Sequence, residues 1–408
     1  MESLPVPPLA AKLPPACKVF PAFVESVLAP TPYQAAQSVP NTYIASRYLL
    51  ATKPFKVQAA AHLLATSSDT VRRMVDESGI EVTRQEGGPG TRLFSIENIF
   101  ELARYRAKRR SKTRKNKQVV ATVYAPNGSV GKTTLASNFG TIFALKGFRT
   151  LIIDLDFRSN LTLSFGYDSE LTPEEAADAG ISQSRIVEYH FGNLIPNYPA
   201  GRVRLQETIK KPFGEYGPHI VPADLNLDRL DTMLAYGTLE GRNSDLILAE
   251  LIRDGLSKKD PDFDVSDYDI ILFDAAPAKN RITRGALLAS NYVISPVSME
   301  KFSTKALSYL SSVMTEIREQ FDRNPELIIV GNFFDPNRVR VLGQLMTCTQ
   351  AYRDAWLERS IRRSGDFSKA IPGESEIPVI LSKPNGQAAT DLLESANALL
   401  KRMGLGDE

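Results

Sequence analysis

Residues 124–134 read YAPNGSVGKTT, a lysine and two threonines set directly behind two glycines. That order suits a phosphate. Successive backbone N–H groups wrap an anion where glycine lets the chain come close, and the helix that follows adds the positive end of its dipole. Lys132 is then placed to reach β- and γ-phosphates, and Thr133 to bind Mg2+. The strict pattern G-x-x-x-x-G-K-[ST] fails at Pro126, but Gly128 and Gly131 remain. Two acidic tips complete the set. LIIDLD closes on Asp154 and Asp156, and YDIILFD closes on Asp274 after four apolar residues, the form of a strand that holds Mg2+ through water. A buried strand often ends in aspartate; a glycine loop followed by two such tips in this order is specific.

These residues need a scaffold that gathers them. QVVATVY reads as a buried strand before the loop, and TTLASNFGTIFALKG as a helix closed by Gly147. RTLIIDLD, PHIVPA, YDIILFD, NYVISPV, ELIIVGN and, near the end, IPVIL read as further strands. Continuous apolar runs separated by helical segments predict an α/β fold, a mostly parallel, doubly wound sheet of the P-loop NTPase kind spanning 118–408. Ligands bind such sheets at the carboxyl ends of the strands, where the acidic tips fall.

Residues 56–103 have a different texture. VQAAAHLLA reads as a compact helix, TSSDTVRRMVDES as a second one capped by Ser67 or Ser68, and Val71 and Val75 recur at helical spacing. GIEVTRQEGGPGTRLF holds two β-prone runs around Gly87, Gly88 and Gly90, and Ser95 caps IENIFELARYRAKRR. Helix, turn, helix, hairpin, helix is the layout of a winged helix-turn-helix. In that layout Ser68, Thr70, Arg72 and Arg73 meet the major groove, while Arg84 and Arg92 on the wing contact phosphates. Residues 1–55, with ten prolines, read as an irregular arm and a dimer contact.

The 408 residues suffice for two domains and a tail, and 43% hydrophobic residues suffice for a sizeable core. No run of 18 apolar residues occurs, and the first twenty lack the basic-then-apolar order of a secretory leader. Cys17 and Cys348 give no metal or disulfide spacing, and three histidines exclude a His-rich metal site. The expected location is cytoplasmic, at the nucleoid. Net charge is +2, but residues 104–117 carry nine Lys/Arg, Arg109 and Arg110 among them, and no acid. The rest of the chain is therefore at −7, 40 basic against 47 acidic residues. Such a stripe, read as a basic linker, is the footprint of a polyanion partner.

AAHLLATSSDTVRRMVDESGI followed by GTRLFSIENIFELARYR resembles the DNA-binding half of MerR-type regulators. NGSVGKTTLASNFGTIFALKGFRTLIIDLDFRSNLTLSFG resembles the opening of ParA-type partition ATPases, the deviant-Walker group that also contains MinD and the nitrogenase iron protein. HIVPADLNLDRLD, YDIILFDAAPA and LLASNYVISPVSMEKFS continue that likeness in order, over roughly residues 118–400. A winged domain ahead of it resembles the larger plasmid-type members, which partition DNA and repress their own operon. The resemblance implies ATP and Mg2+ as cofactors, with nucleotide held by Asn127, Gly128, Ser129, Val130, Gly131, Lys132, Thr133 and Thr134, and Asn332 near the adenine. It implies that Asp156 positions the attacking water, that Asp154 lies close to the metal and that Asp274 senses the γ-phosphate. It implies a homodimer or polymer on non-specific DNA, a ParB-type centromere-binding partner and no membrane. Arg338, Arg340, Arg362 and Arg363 are candidates for that DNA surface.

The departures matter. Where the family loop KGGxGKT has a lysine that reaches across the dimer, this chain has Asn127. The second glycine is Ser129, and the usual DxDPQ has become DLDFRS. An in-trans cation on a transferring phosphate is worth several kcal/mol. Three outcomes follow: slow hydrolysis, a substitute cation from Arg158, Lys279 or Arg281, or a switch that works by nucleotide binding alone in a DNA-binding regulator. The leucines of DLLESANALLKRMGLGDE fit packing against the domain better than a membrane anchor.

Overall fold

The computed structural model describes residues 53–85, 90–110, 117–239, 243–278, 280–298, 304–335, 337, 339–367 and 377–406. All belong to one compact unit, Thr42–Glu408. The expected arm lies outside the described residues except for positions 53–55, as do Gly87 and Gly88, the linker residues 111–116, Lys279 and Arg338.

Phe55–Lys56 (β1) leads into Val57–Leu63 (α1) and then Ser68–Ser78 (α2). Ser67 caps α2, accepting from the Thr70 amide at 3.2 Å, and Val71, Met74 and Val75 form its buried stripe. Thr83–Arg84 (β2) and Arg92–Phe94 (β3) pair antiparallel, with β1 on the other edge of β3. Ser95 accepts from the Asn98 amide at 3.1 Å and starts Ile96–Arg110 (α3).

Val119–Val123 (β4) then enters the main sheet, followed by Lys132–Leu145 (α4), Thr150–Asp154 (β5) and Asn160–Ser164 (α5). His219–Val221 (β6), Leu227–Leu239 (α6), Ile247–Leu256 (α7) and Ile270–Asp274 (β7) come next. Arg281–Ala289 (α8), Tyr292–Ser298 (β8), Thr304–Phe321 (α9), Glu326–Asn332 (β9), Val339–Ala351 (α10) and Gln387–Arg402 (α11) follow, with a few shorter helices between them. The six strands run parallel in the order β6-β5-β7-β4-β8-β9. Every residue of β4, β5 and β7 is buried, as a sheet covered on both faces requires. Pairing places Asp154 directly opposite Asp274, and Val123, the residue from which the loop departs, opposite Asp274 on the other side. The expected strand IPVIL is instead a short helix, Val379–Ser382. Its Ile380 and Leu381 are buried, and the Ile380 amide donates to Asn138 of α4 at 2.9 Å. A five-residue apolar run led by proline does not distinguish the two states by itself. The C-terminal helix α11 buries Leu392, Leu399 and Leu400 in the core, and no described helix is long and apolar enough to cross a membrane.

The helix expected over IENIFELARYRAKRR runs to Arg110, so the first half of the stretch read as a linker from residue 104 is helical. One hydrophobic core runs from Phe55 through Phe94, Phe100, Phe139 and Phe143 to Leu405, so the N-terminal helices and the sheet share an interior. Phe100 stacks on Phe213 at 5.9 Å. Three of the described basic residues of 104–117 are tied to backbone carbonyls of other elements, while Lys108 and Arg109 stay exposed. Arg104 donates to the Gly147 carbonyl at 3.0 Å, Arg106 to that of Leu64, and Lys117 to that of Met403 at 2.6 Å. Those three carbonyls end α4, α1 and α11, where backbone oxygens lack helical partners and the dipole is negative. Lys108 lies over the Tyr216 ring, and Arg109 pairs with Glu77. The stripe is therefore at these positions a set of helix-end clamps.

Gly147 is where α3 and α4 come closest. Its φ is +82°, and a Cβ there would meet Ala107 Cβ at 2.3 Å and the Ala103 carbonyl at 3.0 Å. Gly147→Ala should cost about 2–5 kcal/mol, left-handed strain and overpacking together. Urea denaturation of the two proteins measures it, and a loss below about 1 kcal/mol would mean that the helices separate without penalty.

Candidate functional site

The loop between β4 and α4 keeps the conformation its lost glycine would take. Ser129 has φ +58°, the left-handed region, at a cost of about 1–2 kcal/mol for a side-chain-bearing residue. Gly131 has φ +90°, and a Cβ there would lie 2.3 Å from Asn332 Nδ2 and 3.2 Å from Phe333 Cζ, so no side chain fits. Gly128 and Ser129 are exposed, Val130 is buried, and Thr133 and Thr134 are half-buried. No acidic residue occupies the first turn of α4, which leaves the positive end of its dipole uncompensated. Lys132 is buried and donates to the Asn127 carbonyl at 3.2 Å. Burial pushes its ammonium below the usual lysine range, and Arg158 pushes the same way; Asp274 and Asp156 pull it back up.

The three aspartates divide the work. Asp154 has both oxygens engaged: Oδ1 accepts from the Asp156 amide at 3.1 Å, and Oδ2 from the Thr162 amide at 3.0 Å and hydroxyl at 2.7 Å. These bonds give Asp154 a structural task, fixing the turn after β5. Burial raises it to about 7 despite those bonds. Asp156 is nearly buried, and its Oδ1 accepts from the Arg158 amide at 3.1 Å. Asp274 is fully buried, and neither of its carboxylate oxygens has a partner of good hydrogen-bond geometry, the Thr133 hydroxyl being near but poorly placed. Burial and then the neighbouring Asp154 drive it well above the ordinary carboxylate range, while Thr133 and Lys132 oppose them.

A buried carboxylate without a donor is unstable unless a cation or ordered water meets it. Asp274 lies among Lys132, Thr133 and Asp156, so the residues present fit a magnesium-bound phosphate. Asn332, expected near an adenine, is buried at the end of β9; its Nδ2 donates to the Val130 carbonyl at 2.9 Å, and its Oδ1 has no partner. It thus pins the phosphate loop from β9, two strands away from β4. Thr162, which orients Asp154 and through its hydroxyl accepts from the Ala223 amide at 3.0 Å, was not singled out from sequence. Its only signal was position, in the segment that continues the family likeness.

Of the substitute cations, Arg281 is committed to Asp245 at 3.3 Å. Arg158 is exposed and packs over the Phe157 ring, 5.8 Å from its centroid. The expected DNA-contacting residues fall into three groups. Ser68 and Thr70 are half-buried on α2, with the Thr70 hydroxyl on Ser67 Oγ at 2.9 Å. Arg72, Arg73, Arg92 and Arg109 each face a carboxylate, whereas Arg84 is exposed with no ion pair among the described residues. Arg362 is clamped to Asp391 at 2.6 and 3.0 Å, a structural bond and no free surface cation. Arg110 and Arg340 end α3 and begin α10, with side chains outside the described set.

Residues 118–329 match the family model AAA_31, described as an AAA domain. The cell division protein PomZ of Myxococcus xanthus is 24% identical over 277 residues, 68% of this chain and 76% of PomZ. The probable plasmid-partitioning protein ParA of Thermus thermophilus is 25% identical over 267 residues, 65% of this chain and 66% of that protein. Among solved structures, cobyrinic acid a,c-diamide synthase from Mycobacterium smegmatis, with bound ADP and magnesium, aligns at TM-score 0.53 and 20% identity over 70% of this chain and 96% of its own. A structure described as a partition protein aligns at TM-score 0.54 and 16% identity over 94% of this chain and 98% of its own. With the matched domain covering more than half of the chain, and a phosphate loop, acidic strand tips and parallel sheet in the family order, this protein belongs to the AAA_31 family as a ParA-type partition ATPase.

Proposed function

We propose that this protein segregates DNA by binding Mg-ATP, pairing face to face with a second copy on duplex DNA, and releasing the duplex after hydrolysis stimulated by a ParB-type partner. The observation that carries the reading is the partnerless Asp274 carboxylate buried beside Lys132 and Thr133. Bound magnesium would neutralise charge on the β- and γ-phosphates. Lys132 and the loop amides hold the phosphate oxygens, Thr133 and Asp274 hold the metal shell, and Asp156 orients the attacking water. Asp154 keeps the Asp156 turn in place through Thr162. Arg158, exposed beside that turn, is the cation we assign to the task that Asn127 cannot perform. The winged N-terminal layout, with its exposed Arg84, supports operator binding and repression of the protein's own operon. Asn127 favours one second reading, a DNA-binding regulator that senses ATP without turning it over.

Lys132→Ala should abolish ATP-dependent coating of mixed-sequence duplex, read by light scattering. Arg158→Ala should leave ATP binding within about threefold while lowering phosphate release in the presence of DNA and partner by about 100-fold, the scale of one charge-stabilising group. Coating that survives Lys132→Ala would contradict nucleotide gating. Tight ATP binding by the wild type with no phosphate released would favour the regulator.

The buried carboxylates make a separate prediction. Asp154 keeps its proton up to about pH 7, while the unfolded chain releases it near 4. Across that window the folded state binds more protons, so the nucleotide-free protein should lose stability as pH rises from about 4 to 7. Asp274→Asn removes the second buried charge. It should stabilise the nucleotide-free protein at pH 8 by about 1–3 kcal/mol while abolishing the stabilisation conferred by Mg-ATP, both measured by thermal melting. A variant less stable without ligand would show that Asp274 has an internal partner.

A further inference from the structure

The exposed face of α2 has the wrong sign for a nucleic-acid reader. It carries Asp69, Asp76 and Glu77 against Arg72 and Arg73. Both arginines are paired within the helix, Arg72 with Asp69 at 2.6 Å and Arg73 with Glu77 at 3.9 Å. The cations that approach from neighbouring elements are paired as well. Arg92 of β3 meets Asp76 at 2.5 Å and donates to the Arg72 carbonyl at 3.2 Å; Arg109 of α3 meets Glu77. Arg84, on β2, stands exposed without an ion pair among the described residues, as does Lys56 on β1.

We infer that α2 is electrostatically self-masked: Asp76 and Glu77 hold Arg92 and Arg109 away from phosphate, making the winged unit selective for its own site and poorly adhesive toward other duplex. The inference rests on the reading of this unit as DNA-binding. Exposed ion pairs hold their partners weakly, so a well-placed phosphate oxygen can take the carboxylate's place on a guanidinium. An arbitrary duplex offers no further contact to offset the like charge that Asp76 and Glu77 present to its backbone. A matching site does, through base edges read from α2. Selectivity then comes from the acids as much as from the arginines.

The test uses the full chain without nucleotide, and a fluorescent duplex of mixed sequence. Asp76→Asn with Glu77→Gln should tighten binding about three- to fivefold per carboxylate at low salt, the upper part of what exposed pairs hold back. The slope of log affinity against log salt should steepen by about 2 to 3, close to 0.9 for each of the arginines freed, Arg92, Arg109 and the more loosely held Arg73. Adding Arg73→Ala, Arg92→Ala and Arg109→Ala should cancel the gain. In parallel, selection from a pool of random duplexes should give a sharper consensus for the wild type than for the carboxylate variant. If the wild type selects a consensus but the variant binds mixed sequence no tighter, or its gain survives loss of the arginines, self-masking is wrong and the DNA-binding reading stands. If neither protein retains any duplex from the pool, the DNA-binding reading itself fails.

Discussion

Asp154 and Asp274 sit on adjacent parallel strands at the same register, both fully buried, with Lys132 as the nearby buried cation. Strands in a sheet stand about 4.8 Å apart, so two carboxylates there cannot both ionise without help. The chain resolves one of them internally: Thr162 and the Asp156 amide satisfy Asp154. It leaves the other bare. The architecture around the loop serves that asymmetry, with a buried lysine, a helix start free of acid and an asparagine that pins the loop from β9. A buried carboxylate without a donor is costly for the folded protein, and a magnesium-bound polyphosphate is a ligand that would offset the cost.

The same helix that begins at Lys132 ends where α3 crosses it. Arg104 holds the Gly147 carbonyl there, and Gly147 lets Ala107 approach. Because α3 also carries Arg106 to the end of α1, and because one core joins both halves, the N-terminal helices are built onto the sheet instead of hanging from it. The helix behind the phosphate loop and the N-terminal helices thus share a continuous packed path. The relatives, a cell division protein and a probable plasmid-partitioning protein, cover about two thirds of the chain; the fold likeness to a partition protein extends over 94% of it.

Much of this was legible in the sequence because it is local. Strands β4 to β9 announce themselves as apolar runs, the loop as glycines before a lysine, and the caps as Ser67 and Ser95. What was hidden depends on pairs distant along the chain. Nothing near Arg104, Arg106 or Lys117 marks them as clamps on the carbonyls of Gly147, Leu64 and Met403, so nine basic residues read as a free stripe. Arg362 looked like surface charge until Asp391, 29 residues on, closed on it. The engagement of Asp154 by Thr162 arises only when α5 folds back over β5, and the helix within IPVIL is tied to α4 by the Ile380 amide on Asn138, a partner 242 residues away.

The central claim is that Lys132, Thr133 and Asp274 together hold a magnesium-bound triphosphate. Calorimetric titration of the purified chain with ATP, with and without magnesium, addresses it most directly. The account predicts saturable uptake of one nucleotide per chain that strengthens sharply when magnesium is present. No uptake, or uptake indifferent to magnesium, would contradict it.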